Sequence, residues 1–247
     1  MKHCVANATP RWTRRKDARP QELLTSALRV FSEKGYAGAR LEDVAKNAGV
    51  SKGTVYLYYP NKEELLKAVV IEHVSPIVDE ARHQQDDDKS SSTLIREALH
   101  LWWQRYGSTE LSSLTKIVMS EANAFPELGR FFHDTVIAPW WAYLESLLQR
   151  GIQRGEFADI DVEYAAKVLC APLVTLGLWK RTLDTCCNID TNPMRYIEAH
   201  LQMVLNGLTC PKQKQLTQGK GANAAPVEPG ASGESASVLA LRKHPKS

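Results

Sequence analysis

One stretch constrains this chain more than any other: LEDVAKNAGVSKGTVYLYYPNKEELL, residues 41–66. Leu41, Val44, Ala45 and Ala48 recur at i, i+3, i+4 and i+7, the spacing of one α-helical face. Gly49 follows, a residue that takes the left-handed backbone ending a helix without a Cβ penalty. Val50 then turns into a core, and Ser51 is placed to cap a second helix over Lys52 to Tyr58. Within it Val55 and Tyr59, four apart, can face inward. Lys52 and Tyr56 form one outward stripe, Thr54 and Tyr58 another. A face with a cation, a hydroxyl, two phenols and no acid suits a DNA major groove. Pattern, turn and surface chemistry agree on a helix-turn-helix.

The flanks extend the pattern into a three-helix head. Pro20 suits a first helical position, Leu24, Ala27, Leu28 and Phe31 supply a buried stripe, and Lys34-Gly35 closes the helix with a cation on its dipole and a glycine beyond it. Tyr36 reads as core beneath the head. Pro60 breaks the chain, and Asn61 caps the next helix with Glu64 three residues on, a capping box. That helix continues inward through Leu65, Leu66, Val69 and His73, with a kink expected at Pro76. It links head to body and is the natural lever for a signal.

The segments GYAGARLEDVA and AGVSKGTVYLYYPNKEELL closely resemble the DNA-binding signature of the TetR/AcrR family of bacterial transcriptional regulators, over about residues 20 to 70. The resemblance implies an all-α protein: a three-helix DNA-binding head, a larger helical ligand-binding body, and a homodimer. It places Arg40, Ser51, Lys52, Gly53, Thr54, Tyr56, Tyr58 and Lys62 at the DNA, with Lys62 on a phosphate. Arg40 departs from the pattern, because the residue capping the second helix is usually Ser or Thr. Arginine cannot accept that backbone bond, and phosphate is its alternative partner. The segments FPELGRFF and RGEF are weakly similar to the C-terminal domains of AcrR/AefR-like members.

The 247 residues are enough for one or two domains with a sizeable core. The net charge of +3 is unevenly spread: residues 1–60 carry +6 and the remainder −3. A basic head on a mildly acidic body fits a polyanion partner at that end. No run approaches the ~18 apolar residues of a membrane span, and no apolar segment follows the N-terminal charges, so neither membrane nor signal peptide is expected. The five cysteines are odd in number and lack C-x-x-C spacing, which fits reduced thiols in a cytoplasmic protein.

Four segments are expected: a disordered basic arm at 1–19, the helix-turn-helix domain at 20–66, a helical ligand-binding and dimerisation domain at 67–209, and a disordered tail at 210–247. Residues 84–93 read as a polar loop. Helical patterns follow at about 94–106 and 110–123, then from Pro126 to Arg154 with an interruption at Pro139. From Asp161-Val162 to about Leu183 the chain is apolar nearly all round, so that helix must be covered on both sides. Ile197, Leu201, Val204, Leu205 and Leu208 mark a last helix. In the family these two helices form the dimer interface.

Catalytic signatures are missing: no nucleophile elbow, phosphate loop, zinc-protease or dinucleotide motif occurs. The seven histidines are scattered without a ligand set, so neither metal, cofactor nor enzyme activity is expected. The body is instead rich in aromatics. Pairs such as Trp102-Trp103 and Trp140-Trp141 cannot both enter one core from one helix face. Trp102, Trp103, Tyr106, Met119, Phe132, Trp140, Trp141 and Trp179 are the candidate lining of a pocket for a hydrophobic or aromatic effector. The reading is a homodimeric repressor released from a double-stranded operator by such an effector. The alternative is a helix-turn-helix protein acting as an interaction module, or as an activator without ligand control.

Overall fold

A computed structural model describes residues 19–187 and 191–209. The expected arm, save Arg19, and the expected tail from 210 lie outside them. Every regular element described is helical, in agreement with the all-α expectation.

The head is α1 (Arg19–Gly38), α2 (Leu41–Asn47) and α3 (Lys52–Tyr58). Leu24, Ala27, Leu28 and Phe31 are buried as the stripe predicts, joined by Leu23 and Val30. Gly35 leaves helical geometry at φ 69°, so α1 breaks after Lys34 and ends in a short extra turn. Gly49 takes φ 65°, the left-handed turn between α2 and α3. Ser51 caps α3 by accepting from the Thr54 amide at 3.2 Å, and Asn61 caps α4 (Lys62–His73) by accepting from Glu64 at 2.9 Å. Pro76 does not kink α4. That helix has already ended, and Pro76 opens α5 (Pro76–His83), where its missing N–H is harmless.

The body continues with α6 (Ser91–Trp102), α7 (Ser113–Glu121), α8 (Pro126–Phe132), α9 (Ala138–Gln153), α10 (Val162–Thr182), the short α11 (Asp184–Cys187) and α12 (Pro193–Leu208). The polar loop before α6 is not loose. Arg150 of α9 and Arg154 just beyond its end donate to the carbonyls of Asp87 and Lys89 at 2.7–3.2 Å, satisfying a connection with almost no core of its own.

Two π turns interrupt the helices, Trp103–Gly107 after α6 and His133–Ile137 between α8 and α9. The second precedes Pro139, which can neither donate to nor clear the turn before it. The helix widens there instead of breaking.

Against the sequence expectation, α10 is long and apolar enough to cross a membrane, with a mean hydropathy of 1.3 over its best window. It is a core helix all the same: Ala166, Leu169, Cys170, Leu173, Leu176 and Gly177 are buried, and it packs on α7, α9 and α12.

Head meets body at α1. It lies on α7, where the Ala37 amide donates to Glu121 Oε1 at 3.4 Å and the Tyr36 ring stands edge-on to Phe125 with centroids 5.0 Å apart. α4 runs from the head to α8 and the second π turn.

Candidate nucleic-acid interface and effector cavity

On the head, the structure exposes Lys52, Tyr56 and Tyr58 and buries Val55 completely. Thr54 is half-buried, and its hydroxyl sits 2.9 Å from Ser51 Oγ, so it serves the cap as well as the outer surface. Arg40 holds the N-cap position of α2 with no side-chain cap bond, leaving its guanidinium outside the fold's own bonding there.

Two features differ from the expected surface. The α3 face carries no acid of its own, but Glu42 of α2 reaches it and pairs with Lys52. The pair holds the Glu42 carboxyl below its ordinary range and the Lys52 ammonium above its own, chiefly through their mutual hydrogen bond. Both groups are exposed, so a phosphate can compete with Glu42 at little cost. Lys62, expected on a phosphate, donates to the carbonyls of Tyr36 (2.8 Å) and Ala37 (3.2 Å) and lies over the Tyr36 ring at 4.6 Å. It therefore satisfies orphan carbonyls at the end of α1, and of its three protons one is left for an anion.

In the body, α6, α7, α8, α9, α10 and both π turns enclose a cavity of about 510 Å³. Trp102, Tyr106, Met119, Phe132, Trp140 and Trp141 line it. Trp103 and Trp179 do not. Trp103 is buried against Gly107, where a Cβ would come within 2.4 Å of its ring, and Trp179 meets Tyr196 of α12 edge-on at 6.3 Å. Adjacent Trp102 and Trp103 diverge as helix geometry demands, one to the cavity and one to the core.

The π turns shape this wall. Tyr106 comes from the first, Val136 and Ile137 from the second, and α10 supplies the opposite side through Cys170, Ala171, Leu173 and Val174. Polarity is sparse. The Tyr106 hydroxyl is bonded to Thr115 Oγ1 at 2.6 Å, and burial pushes that phenol well above its ordinary range. Burial likewise pushes the Cys170 thiol up to about 12, so it is a neutral wall atom. Lys167 is the only charged side chain lining the cavity among the described residues, paired with Glu163 at 2.6 Å and lying 5.3 Å over the Trp141 ring. Nothing in the residue pattern marks it, since a lone lysine on an apolar helix carries no motif. Met119 is 65% exposed, and with Ala171 it marks the mouth.

A second hollow of about 20 Å³ lies behind the same wall. Trp102, Tyr106, Val136 and Trp140 line both, and the far side of the small one is Val74, Ser75, Ile77 and Val78, where α4 passes into α5. Four side chains thus stand between the cavity and the helix that leaves the head.

Residues 23–69 match the family of bacterial regulatory proteins named for tetR, and residues 87–184 match the tetracyclin repressor-like C-terminal domain. The chain belongs to the TetR family. It is a DNA-binding transcriptional regulator, and its relatives are regulators rather than enzymes. It is 28% identical over 162 residues to the fatty acid metabolism regulator protein of Bacillus subtilis, covering 62% of this chain and 80% of the relative. It is 29% identical over 122 residues to IcaR of Staphylococcus epidermidis, a negative regulator of a biofilm operon, covering 47% and 66%. Among solved structures, the fatty acid degradation regulator FadR of Bacillus halodurans superposes with a TM-score of 0.65 at 22% identity, over 78% of this chain and 97% of that one. FadR of Bacillus subtilis in complex with stearoyl-CoA gives 0.65 at 20%, over 76% and 98%. At these identities the superpositions establish the fold.

Proposed function

We propose that the protein is a cytoplasmic homodimeric repressor, released from its operator when an apolar small molecule fills the body cavity. The observation that carries this reading is the shared wall. A ligand filling the 510 Å³ cavity presses on Trp102, Tyr106, Val136 and Trp140, and these back onto the α4–α5 junction. Displacing that junction tilts α4 and changes the spacing of two heads, which must reach half-sites about 34–36 Å or a multiple apart. The ligand acts by its differential affinity for the two arrangements.

At the DNA, Arg40, Lys52, Tyr56 and Lys62 take phosphates, while Ser51, Gly53, Thr54 and Tyr58 lie toward the groove. The dimer forms through α10 and α12, which pack together and leave Tyr164, Val168, Met194 and Met203 exposed. The 28% identical fatty acid regulator makes an acyl chain the first effector class to test, and the apolar wall suits one. Repression follows the direction named for the IcaR relative.

The test is binding of the purified protein to its own upstream intergenic DNA, followed across a salt series and titrated with fatty acids of eight to eighteen carbons and their coenzyme A thioesters. Salt-steep, sequence-selective binding that one of these ligands weakens is expected. Operator affinity unchanged by every ligand that demonstrably binds the protein would overturn release by effector.

A further inference from the structure

The most exposed large apolar residue of α3 is one that the outward stripes of the helix pass over. Leu57 lies two residues beyond Val55, about 200° around a helix of 3.6 residues per turn. Val55 is fully buried and Leu57 is 80% exposed, so Leu57 points straight away from the head's core. Its neighbours on the outer side, Tyr56 and Tyr58, are 43% and 37% exposed. Lys52, the cation of the same helix, is paired with Glu42. The outermost chemistry of the helix is therefore an isobutyl group.

A second observation falls on the same stripe. Gly53 precedes Leu57 by four residues and shares its face. Among the described residues nothing requires glycine there. Its backbone is not left-handed, and the sole described neighbour a Cβ would meet within 4 Å is Ser51 Oγ at 3.9 Å. Glycine costs a helix about 1 kcal/mol relative to alanine. A bare position with open space outside it is explained by something that approaches from outside.

We propose that the Gly53–Leu57 stripe is the base-reading edge of α3, with Leu57 seated on the 5-methyl group of a thymine and Gly53 giving the clearance that brings the helix backbone down to the bases. Within the major groove the thymine methyl is the one apolar group that base edges present, and an apolar side chain is what recognises it. Thr54 and Tyr58 then flank the contact rather than make it. The inference rests on DNA binding by the head, and goes beyond it by naming the base and the atoms.

The test begins with duplexes selected by the full-length protein from a random-sequence library. Each thymine of the selected half-site is then replaced singly by deoxyuridine, which removes the methyl and leaves every hydrogen-bonding group in place. For the unsubstituted protein, one or two positions should lose about fivefold in affinity, the value of one buried methyl. Leu57→Ala should bind more weakly, keep the same salt slope because its phosphate contacts are intact, and be indifferent to deoxyuridine at those positions. Gly53→Ala should melt no lower than the parent yet bind every sequence at least about tenfold more weakly. Deoxyuridine that is silent at every position, or equal sensitivity in Leu57→Ala, would overturn the thymine contact while leaving DNA binding established. Failure to select any sequence would overturn DNA reading by the head altogether.

Discussion

In the head, α3 buries Val55 completely and sends Leu57 outward at 80% exposure; in the body, α9 buries Leu144, Leu147 and Leu148 and turns Trp140 and Trp141 into an open-mouthed cavity. The two regions share helices and apolar composition but keep their working surfaces on opposite sides. The head is solid inside and works from its exterior, and the body is hollow and works from its interior. Close packing carries stability in the first, and its local absence makes room for a ligand in the second.

The sharpest way to break this comparison is to truncate one aromatic from each. Phe31→Ala in the head core should cost about 3–5 kcal/mol in urea unfolding and abolish DNA binding. Trp141→Ala, already facing empty space on one side, should cost less than about 2 kcal/mol. Equal losses would mean that the cavity wall is as tightly held as the head. The body also has a solid end, where a Cβ on Gly151 would stand 2.1 Å from the Phe157 ring. Gly151→Ala should therefore destabilise by about 1–3 kcal/mol, read from thermal melting.

Alkaline pH sharpens the contrast further. The Cys170 thiol rises from 9.0 to about 12 on folding. Between those values the unfolded chain releases a proton that the folded chain keeps, so stability falls as pH rises, by at most about 1.4 kcal/mol per pH unit. Tyr106 adds to the same slope above pH 10. Cys170→Ala should flatten part of the decline in urea midpoint between pH 9 and 11, and an unchanged slope would place the thiol in contact with water. Ser51→Ala should cost about 1 kcal/mol through the lost cap of α3 and weaken operator binding in proportion. Smallest of all, Ala171→Leu at the cavity mouth should change stability by less than about 0.5 kcal/mol while weakening ligand binding, measured by quenching of the cavity tryptophans.

The head was legible because its information is local. Gly49, Ser51, Val55 and the Asn61–Glu64 capping box each act within a few residues, and the structure places them as a helical wheel does. Leu57 is not legible on the same wheel, because a leucine on the outer face resembles misplaced core. Pairing between elements was not legible at all. Glu42 reaches Lys52 from another helix, and Lys62 turns back to the end of α1. In the body, aromatic doublets signalled that some side chains leave the core, but not which ones. Trp102 and Trp103 are equivalent in sequence, yet the first lines the cavity and the second packs on Gly107.

The widening at Trp103–Gly107, and its counterpart at His133–Ile137, hold one residue more than an α-helical turn would. Removing a single residue from His133–Ile137 would restore an α-helical turn and leave α8 and α9 in phase, redrawing only the wall that Val136 and Ile137 form while every side chain in both helices kept its identity. Single-residue insertions and deletions, rather than substitutions, are then the large steps by which descendants of this chain can acquire a different effector. Two lineages could keep every lining residue and still bind different molecules.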